Sequence, residues 1–158
     1  LQIQKSRQLD INEPTYLKII ADKTASLLGT CTDIGCASAT EDAETRAMMR
    51  RYGENVGMAF QISDDLLDYL GRRSIIGKPT GIDLKQKKLT LPLIYALEHA
   101  DRRDARQALR VIRNGAKQKD VEWIVDFVRN QGGIDYAVSK AESYAELARE
   151  DITPLPES

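Results

Sequence analysis

The chain has 158 residues, 42% of them hydrophobic and 30% charged, which suits one globular domain or a piece of a larger one. A formal net charge of -1 argues against a general nucleic-acid binder, while leaving room for a local anion site. Two isolated cysteines, Cys31 and Cys36, argue against structural zinc, and the apolar runs fall far short of the roughly 20 residues that span a bilayer. With no signal peptide at its start, the chain is expected to be soluble and cytoplasmic, with both thiols reduced. Valine and isoleucine recur at helical rather than alternating spacing, so a mostly helical fold is expected.

Six helical stretches are predicted. The first starts near Pro14, a residue suited to a first turn, and runs to residue 28 ahead of Gly29. Residues 31–40 are small and polar, open to a loop or a short helix. Ser38 and Glu41 form a candidate capping box for a long helix over 41–70, which ends at Gly71. Residues 71–89, with Gly71, Gly77, Pro79 and Gly81, read as loop. Thr90 is a candidate N-cap, with Pro92 in the first turn of a helix ending near Ala100. A helix over 101–114 closes at Gly115, and one over 120–130 closes at Gly132 and Gly133. The last covers 134–150, and the Pro154 and Pro156 tail cannot continue it.

The long helix holds the chemistry. On a wheel of about 100° per residue with Asp64 as origin, Gly57 lies at about 20°, Asp68 at about 40°, Gln61 at about 60° and Asp65 at about 100°. Ile62, Leu66, Leu70 and Ala59 occupy the other side as an apolar contact face. Three carboxylates so close repel one another, and partial burial would raise the pKa of one. A bound cation removes both problems, and carboxylate oxygens suit Mg²⁺, which commonly bridges to substrate phosphates. Gly57, among them on the wheel, leaves room for something to approach. The bland alternative is a solvated acidic face paired with Arg46, Arg50 and Arg51.

Basic groups answer the acids. The 71–89 loop carries Arg72, Arg73, Lys78, Lys85, Lys87 and Lys88 against a single acid, Asp83. Metal on one side and lysines on the other is how proteins hold a diphosphate. On the first helix Lys23 falls among Tyr16, Ile19, Ile20 and Leu27, where a lysine must snorkel or find an anion. Thr24 offers a hydroxyl beside it. His99 reads as a surface residue near a helix end; Trp123, Ile124, Phe127 and Val128 read as a core stripe, and Tyr136 and Tyr144 as packed.

The segment from Gly57 through Phe60-Gln61-Ile62-Ser63-Asp64-Asp65-Leu66-Leu67-Asp68 resembles the second aspartate-rich motif of the trans-type polyprenyl diphosphate synthases. Gly77-Lys78-Pro79-Thr80-Gly81-Ile82-Asp83-Leu84 and Lys88-Leu89-Thr90-Leu91-Pro92-Leu93 are similar to the family's next segments, in order. Lys23-Thr24 resembles its lysine–threonine pair, and Gly132-Gly133-Ile134 its C-terminal end.

The resemblance implies an all-α helical bundle of the isoprenoid synthase type and head-to-tail condensation of isopentenyl diphosphate with an allylic diphosphate. It implies Asp64 as a direct Mg²⁺ ligand, with Asp65, Asp68 and Asp83 acting through metal-bound water. Lys23, Lys78 and Lys88 would hold the allylic diphosphate, with Thr24 and Gln61 beside it. Asp64, Asp65, Asp68 and Lys78 are thus the expected catalytic set. Lys87 stands where the family pattern often has glycine, so Lys87 and Lys88 are open to sharing one role.

The family's first aspartate-rich motif and its upstream glycine–lysine–arginine site are not found in this sequence. Residues 1–158 are therefore expected to be the C-terminal part of one prenyltransferase domain, incomplete and inactive alone, from an enzyme that is homodimeric at full length. A terpene cyclase and a non-catalytic subunit of a heteromeric synthase are the competing readings.

Overall fold

The computed structural model describes residues 12–70, 81–115 and 117–155. Helices make up the fold, and no strand occurs among the described residues. We label them α1 (Glu13–Ile20), α2 (Ser26–Ala37), α3 (Ala43–Leu70), α4 (Ile82–Lys85), α5 (Leu91–His99), α6 (Arg102–Arg113), α7 (Gln118–Asn130) and α8 (Gly133–Ile152), with a π-helical turn (Ala21–Ala25) joining α1 to α2. No helix among them is long and apolar enough to cross a membrane.

The first predicted helix does not end at Gly29. It continues through the π turn to Ala37, because Gly29 is a packing residue there rather than a terminator: a Cβ on it would sit 2.5 Å from Cγ of Glu54 and 3.0 Å from the Arg50 carbonyl oxygen. The predicted Ser38/Glu41 box does not start α3. Asp42 does, accepting from the Thr45 backbone N–H at 2.8 Å and from its hydroxyl at 2.5 Å, bonds that hold the Asp42 carboxyl below its ordinary pKa. The Ser38 hydroxyl instead donates back to the Gly35 carbonyl at the end of α2.

The chain packs as two units. In one, Leu17–Ile62 pack with the residues from Ser139 on. Here the π turn and α2 approach α3 closely at small residues: a Cβ on Gly57 would lie 2.5 Å from Ala25 Cα, and one on Gly53 would lie 2.9 Å from Gly29 Cα. The Thr32 hydroxyl donates to the Met49 carbonyl at 2.7 Å, and Arg46 pairs with Asp33 at 2.9 Å. From α8, Asp151 accepts from Arg51 at 3.2 Å and from Asn55 at 2.9 Å.

In the other unit, the described residues from Asn12 to Tyr16 pack with those between Ser63 and Val138. Its centre is α5, where Leu91, Pro92, Leu93, Ile94 and Ala96 are all buried, so the helix is apolar nearly all round. Ile112 of α6 and Val121, Ile124 and Val128 of α7 are fully buried too. The expected α7 stripe is present, except that Trp123 is part exposed and stacks on Phe127 at 5.8 Å. Tyr95 stacks between His99 at 3.9 Å and Tyr136 at 4.2 Å, which makes the lone histidine a surface packing residue. The last turn of α3 departs from expectation: Leu70, counted on the apolar face, is 50% exposed, since Tyr69 takes the buried position beside it.

Gly57→Ala tests the small-residue contact. Alanine is the better helix former by about 1 kcal/mol, yet the methyl meets a backbone atom that cannot yield. A net loss of about 1–3 kcal/mol is expected, read from the denaturant midpoint.

Candidate functional site

The three aspartates of α3 are not equivalent. Asp64 is exposed, and among the described residues no hydrogen bond or ion pair engages it. Asp65 is only 8% exposed, and its Oδ2 accepts a 2.8 Å hydrogen bond from the Tyr16 hydroxyl of α1. Burial, then the charge and hydrogen bond of Asp65, push the Tyr16 pKa far up, so the hydroxyl stays a neutral donor. The wheel places Asp64 and Asp65 about 100° apart, and that angle is enough to put one in water and the other in the core.

Asp68 does a third thing. Its Oδ1 accepts from the backbone N–H of Ile82 at 2.9 Å and its Oδ2 from that of Asp83 at 3.0 Å, while its carbonyl accepts from Gly81 at 3.2 Å. Asp68 thereby ties the end of α3 to the start of α4, next to Asp83. Burial raises its pKa above the ordinary carboxylate value, against the lowering by the two N–H donors, and the Asp83 charge adds to the rise.

The lysines divide. Lys88 Nζ donates to Asp83 Oδ1 at 2.7 Å. Lys87 has a left-handed backbone, with φ of 60°, and donates from Nζ to the Arg113 carbonyl at the end of α6, 2.8 Å away. The positive φ is a reason for glycine to be favoured at this position. The two lysines therefore face different partners, and Lys88 is the one set beside an aspartate. Lys78 lies outside the described residues. Behind Lys88 the chain is fixed by a buried 2.8 Å hydrogen bond between Tyr69 and Thr90; the Thr90 hydroxyl serves this contact and not the expected side-chain cap of α5.

Lys23 and Thr24 lie in the π turn. The Thr24 hydroxyl donates to Gln61 Oε1 on α3 at 2.9 Å, which joins two of the predicted site residues directly. Lys23 is exposed and not on the buried face predicted for it. The reason is the π turn, whose extra residue shifts the helical phase: Tyr16, Ile20 and Ala25 form the buried row, and Leu27 moves out to 63% exposure. Gly57, expected to leave room for a ligand, is instead covered by Ala25. Sequence reasoning missed Tyr16 as a partner of the acidic motif. Its helical spacing to Ile20 marked a buried position, but nothing local identified the acceptor.

Among the described residues no three His, Cys, Asp or Glu side chains gather into a group able to hold a metal ion. Asp64 is open to direct coordination, and Asp68 and Asp83, already held by N–H groups and Lys88, are suited to contact through water. On the exposed side of α3, Phe60 and Leu67 lie one turn before and one turn after Asp64. That helix face offers an exposed carboxylate flanked by apolar groups.

A family model for polyprenyl synthetase matches residues 1–128. The all-trans-nonaprenyl-diphosphate synthase (geranyl-diphosphate specific) of Rhodobacter capsulatus is 37% identical over 158 residues, covering 100% of this chain and 48% of that protein. Heptaprenyl diphosphate synthase component 2 of Bacillus subtilis is 30% identical, covering 98% and 44%. Among solved structures, the polyprenyl synthase of Caulobacter crescentus CB15 complexed with calcium and isoprenyl diphosphate superposes with a TM-score of 0.92 at 33% identity, covering 99% of this chain and 48% of that one. The chain thus spans about half the length of the curated relatives it matches.

Two outcomes follow from the geometry. Tyr16→Phe deprives a buried carboxylate of a donor and is expected to cost about 1.5–3 kcal/mol of stability; Asp65→Asn, which still accepts from Tyr16, is expected to cost less, and chemical denaturation compares them. For Asp68, the raised native pKa means that the folded chain holds its proton more tightly than the unfolded one. The resulting stability is full below the unfolded carboxylate value of about 3.9 and is lost as pH rises through the native value. Melting curves from about pH 3 to about pH 7 should therefore show a smaller loss across that window in Asp68→Asn than in the parent.

Proposed function

The chain belongs to the polyprenyl synthetase family, and from that premise we propose that it forms the C-terminal half of a polyprenyl diphosphate synthase. The whole enzyme condenses isopentenyl diphosphate head-to-tail with an allylic diphosphate to give a linear polyprenyl diphosphate. The observation that carries this reading is the exposed Asp64 carboxylate, flanked along α3 by exposed Phe60 and Leu67. An amphiphilic substrate with an anionic head and a hydrocarbon chain has complementary chemistry.

In this reading Asp64 would hold Mg²⁺, with Asp68 and Asp83 supporting the site. Asp65 supports the set from the core, where Tyr16 holds it. Bound Mg²⁺ neutralises charge on the departing diphosphate. Lys88, Lys78 and Lys23 donate charge-assisted hydrogen bonds to the allylic diphosphate, with Thr24 and Gln61 beside it. Lys88, paired with Asp83 here, would turn to a phosphate oxygen, an anionic acceptor of the same kind. The enzyme is assigned to the cytoplasm as a homodimer. A second reading, membership in a two-component synthase, draws on the relative named component 2.

Chain elongation is measured by incorporation of labelled isopentenyl diphosphate. The chain alone is expected to show none, and elongation by it alone would overturn the half-enzyme reading. In a synthase restored with the missing half, Asp64→Ala is expected to lower turnover by at least about 100-fold. Unchanged turnover there would remove Asp64 from the site. Calorimetric titration with an allylic diphosphate, with and without Mg²⁺, separates loss of binding from loss of chemistry.

A further inference from the structure

Helix α6 carries Arg102, Arg103, Arg106, Arg110 and Arg113. On a wheel with Arg102 as origin, Arg113 lies at about 20°, Arg106 at about 40°, Arg110 at about 80° and Arg103 at about 100°. The five form one stripe, all exposed, while Ala108 and Ile112 on the far side are buried. The single acid of the helix, Asp104, falls at about 200°, away from the stripe.

These arginines differ from the others among the described residues. Arg46, Arg50, Arg51, Arg129 and Arg149 each have a carboxylate at 2.8–3.2 Å. Among the described residues none of the five on α6 is in an ion pair. Their arrangement works against the helix in two ways. Arg102 and Arg106, and Arg106 and Arg110, are like charges at i,i+4 spacing. Arg102 and Arg103 also stand in the first turn, where the helix dipole disfavours cations. Natural sequences break local rules mainly where function requires it.

We propose that the α6 arginine stripe is a docking surface for an anionic phospholipid membrane. A guanidinium matches phosphate oxygens with two parallel N–H bonds. The stripe extends over about 16 Å of straight helix, so its guanidinium groups lie side by side and cannot converge on one small anion. A flat array of phosphates is the shape they fit. The exposed side of α6 has no aromatic residue on which a base would stack, which disfavours single-stranded nucleic acid. Because the apolar side of α6 is committed to the core, the contact is electrostatic, without insertion, and weakens with salt. The proposal stands apart from the synthase reading, although a polyprenyl diphosphate would itself be a lipid with an anionic head.

Vesicle co-sedimentation of the chain tests it. Binding is expected to phosphatidylcholine vesicles containing phosphatidylglycerol, not to phosphatidylcholine alone, and to be lost at high salt. Arg102→Gln/Arg106→Gln/Arg113→Gln is expected to weaken binding by at least about tenfold. The charge-matched variant Arg50→Gln/Arg129→Gln/Arg149→Gln should bind like the parent, and circular dichroism reports whether both fold. Equal binding to neutral vesicles, equal losses in the two variants, displacement by inorganic phosphate at constant ionic strength, or preference for a short RNA over the anionic vesicles would each overturn the proposal. Should the stripe variant fail to fold, the lipid, salt and phosphate arms on the parent chain still decide.

Discussion

The rotation of α3 about its own axis is the constraint on which the candidate site depends. Adjacent aspartates on this helix point about 100° apart, and Asp65 falls on the buried side, where it needs a donor. Tyr16 supplies that donor to Asp65, and the choice leaves Asp64 outward. With the phase set, Asp68 falls where its carboxylate can take the N–H groups of Ile82 and Asp83, and Asp83 falls where Lys88 can reach it. One buried hydrogen bond thus precedes a series of contacts that all follow the same helix.

The carboxylates beside Asp64 are each compensated by a different partner. Asp65 is compensated by a phenol and Asp83 by an ammonium group, and Asp68 accepts main-chain amides. Repulsion remains mainly between Asp68 and Asp83, where burial and charge act together to hold the Asp68 proton. A hard cation near Asp64 would relieve the remaining tension.

Helical content, the α5–α8 boundaries and the outward position of Asp64 are legible in the sequence, because they rest on periodicity, on proline and glycine at helix ends and on spacing along one helix; a single acidic face is not, since Asp65 turns into the core. The failures lie where long-range packing overrides local signals. Gly29 carries the chemistry of a helix stop, yet α3 approaches so closely that only glycine fits there, and the helix runs on. Lys23 was placed by a uniform wheel, which an inserted π residue invalidates. Asp42 prevailed over Ser38 as a cap because Thr45 provides both an amide and a hydroxyl in range. The Tyr16–Asp65 and Tyr69–Thr90 bonds join residues far apart in the chain, and no one-dimensional pattern identifies such partners.

The π turn has a consequence for how this segment can change in evolution. It stores one residue more than a regular helix needs between Ile20 and Ala25. Winding those residues into a regular helix without removing one would swing everything after the turn by about 100° and carry Ala25 away from Gly57. Removing one residue along with the turn would instead bring Tyr16, Ile20 and Ala25 to regular helical spacing on one face. The segment can therefore lose a residue between Ile20 and Thr24 and keep its packing, whereas a change that straightens it at constant length cannot.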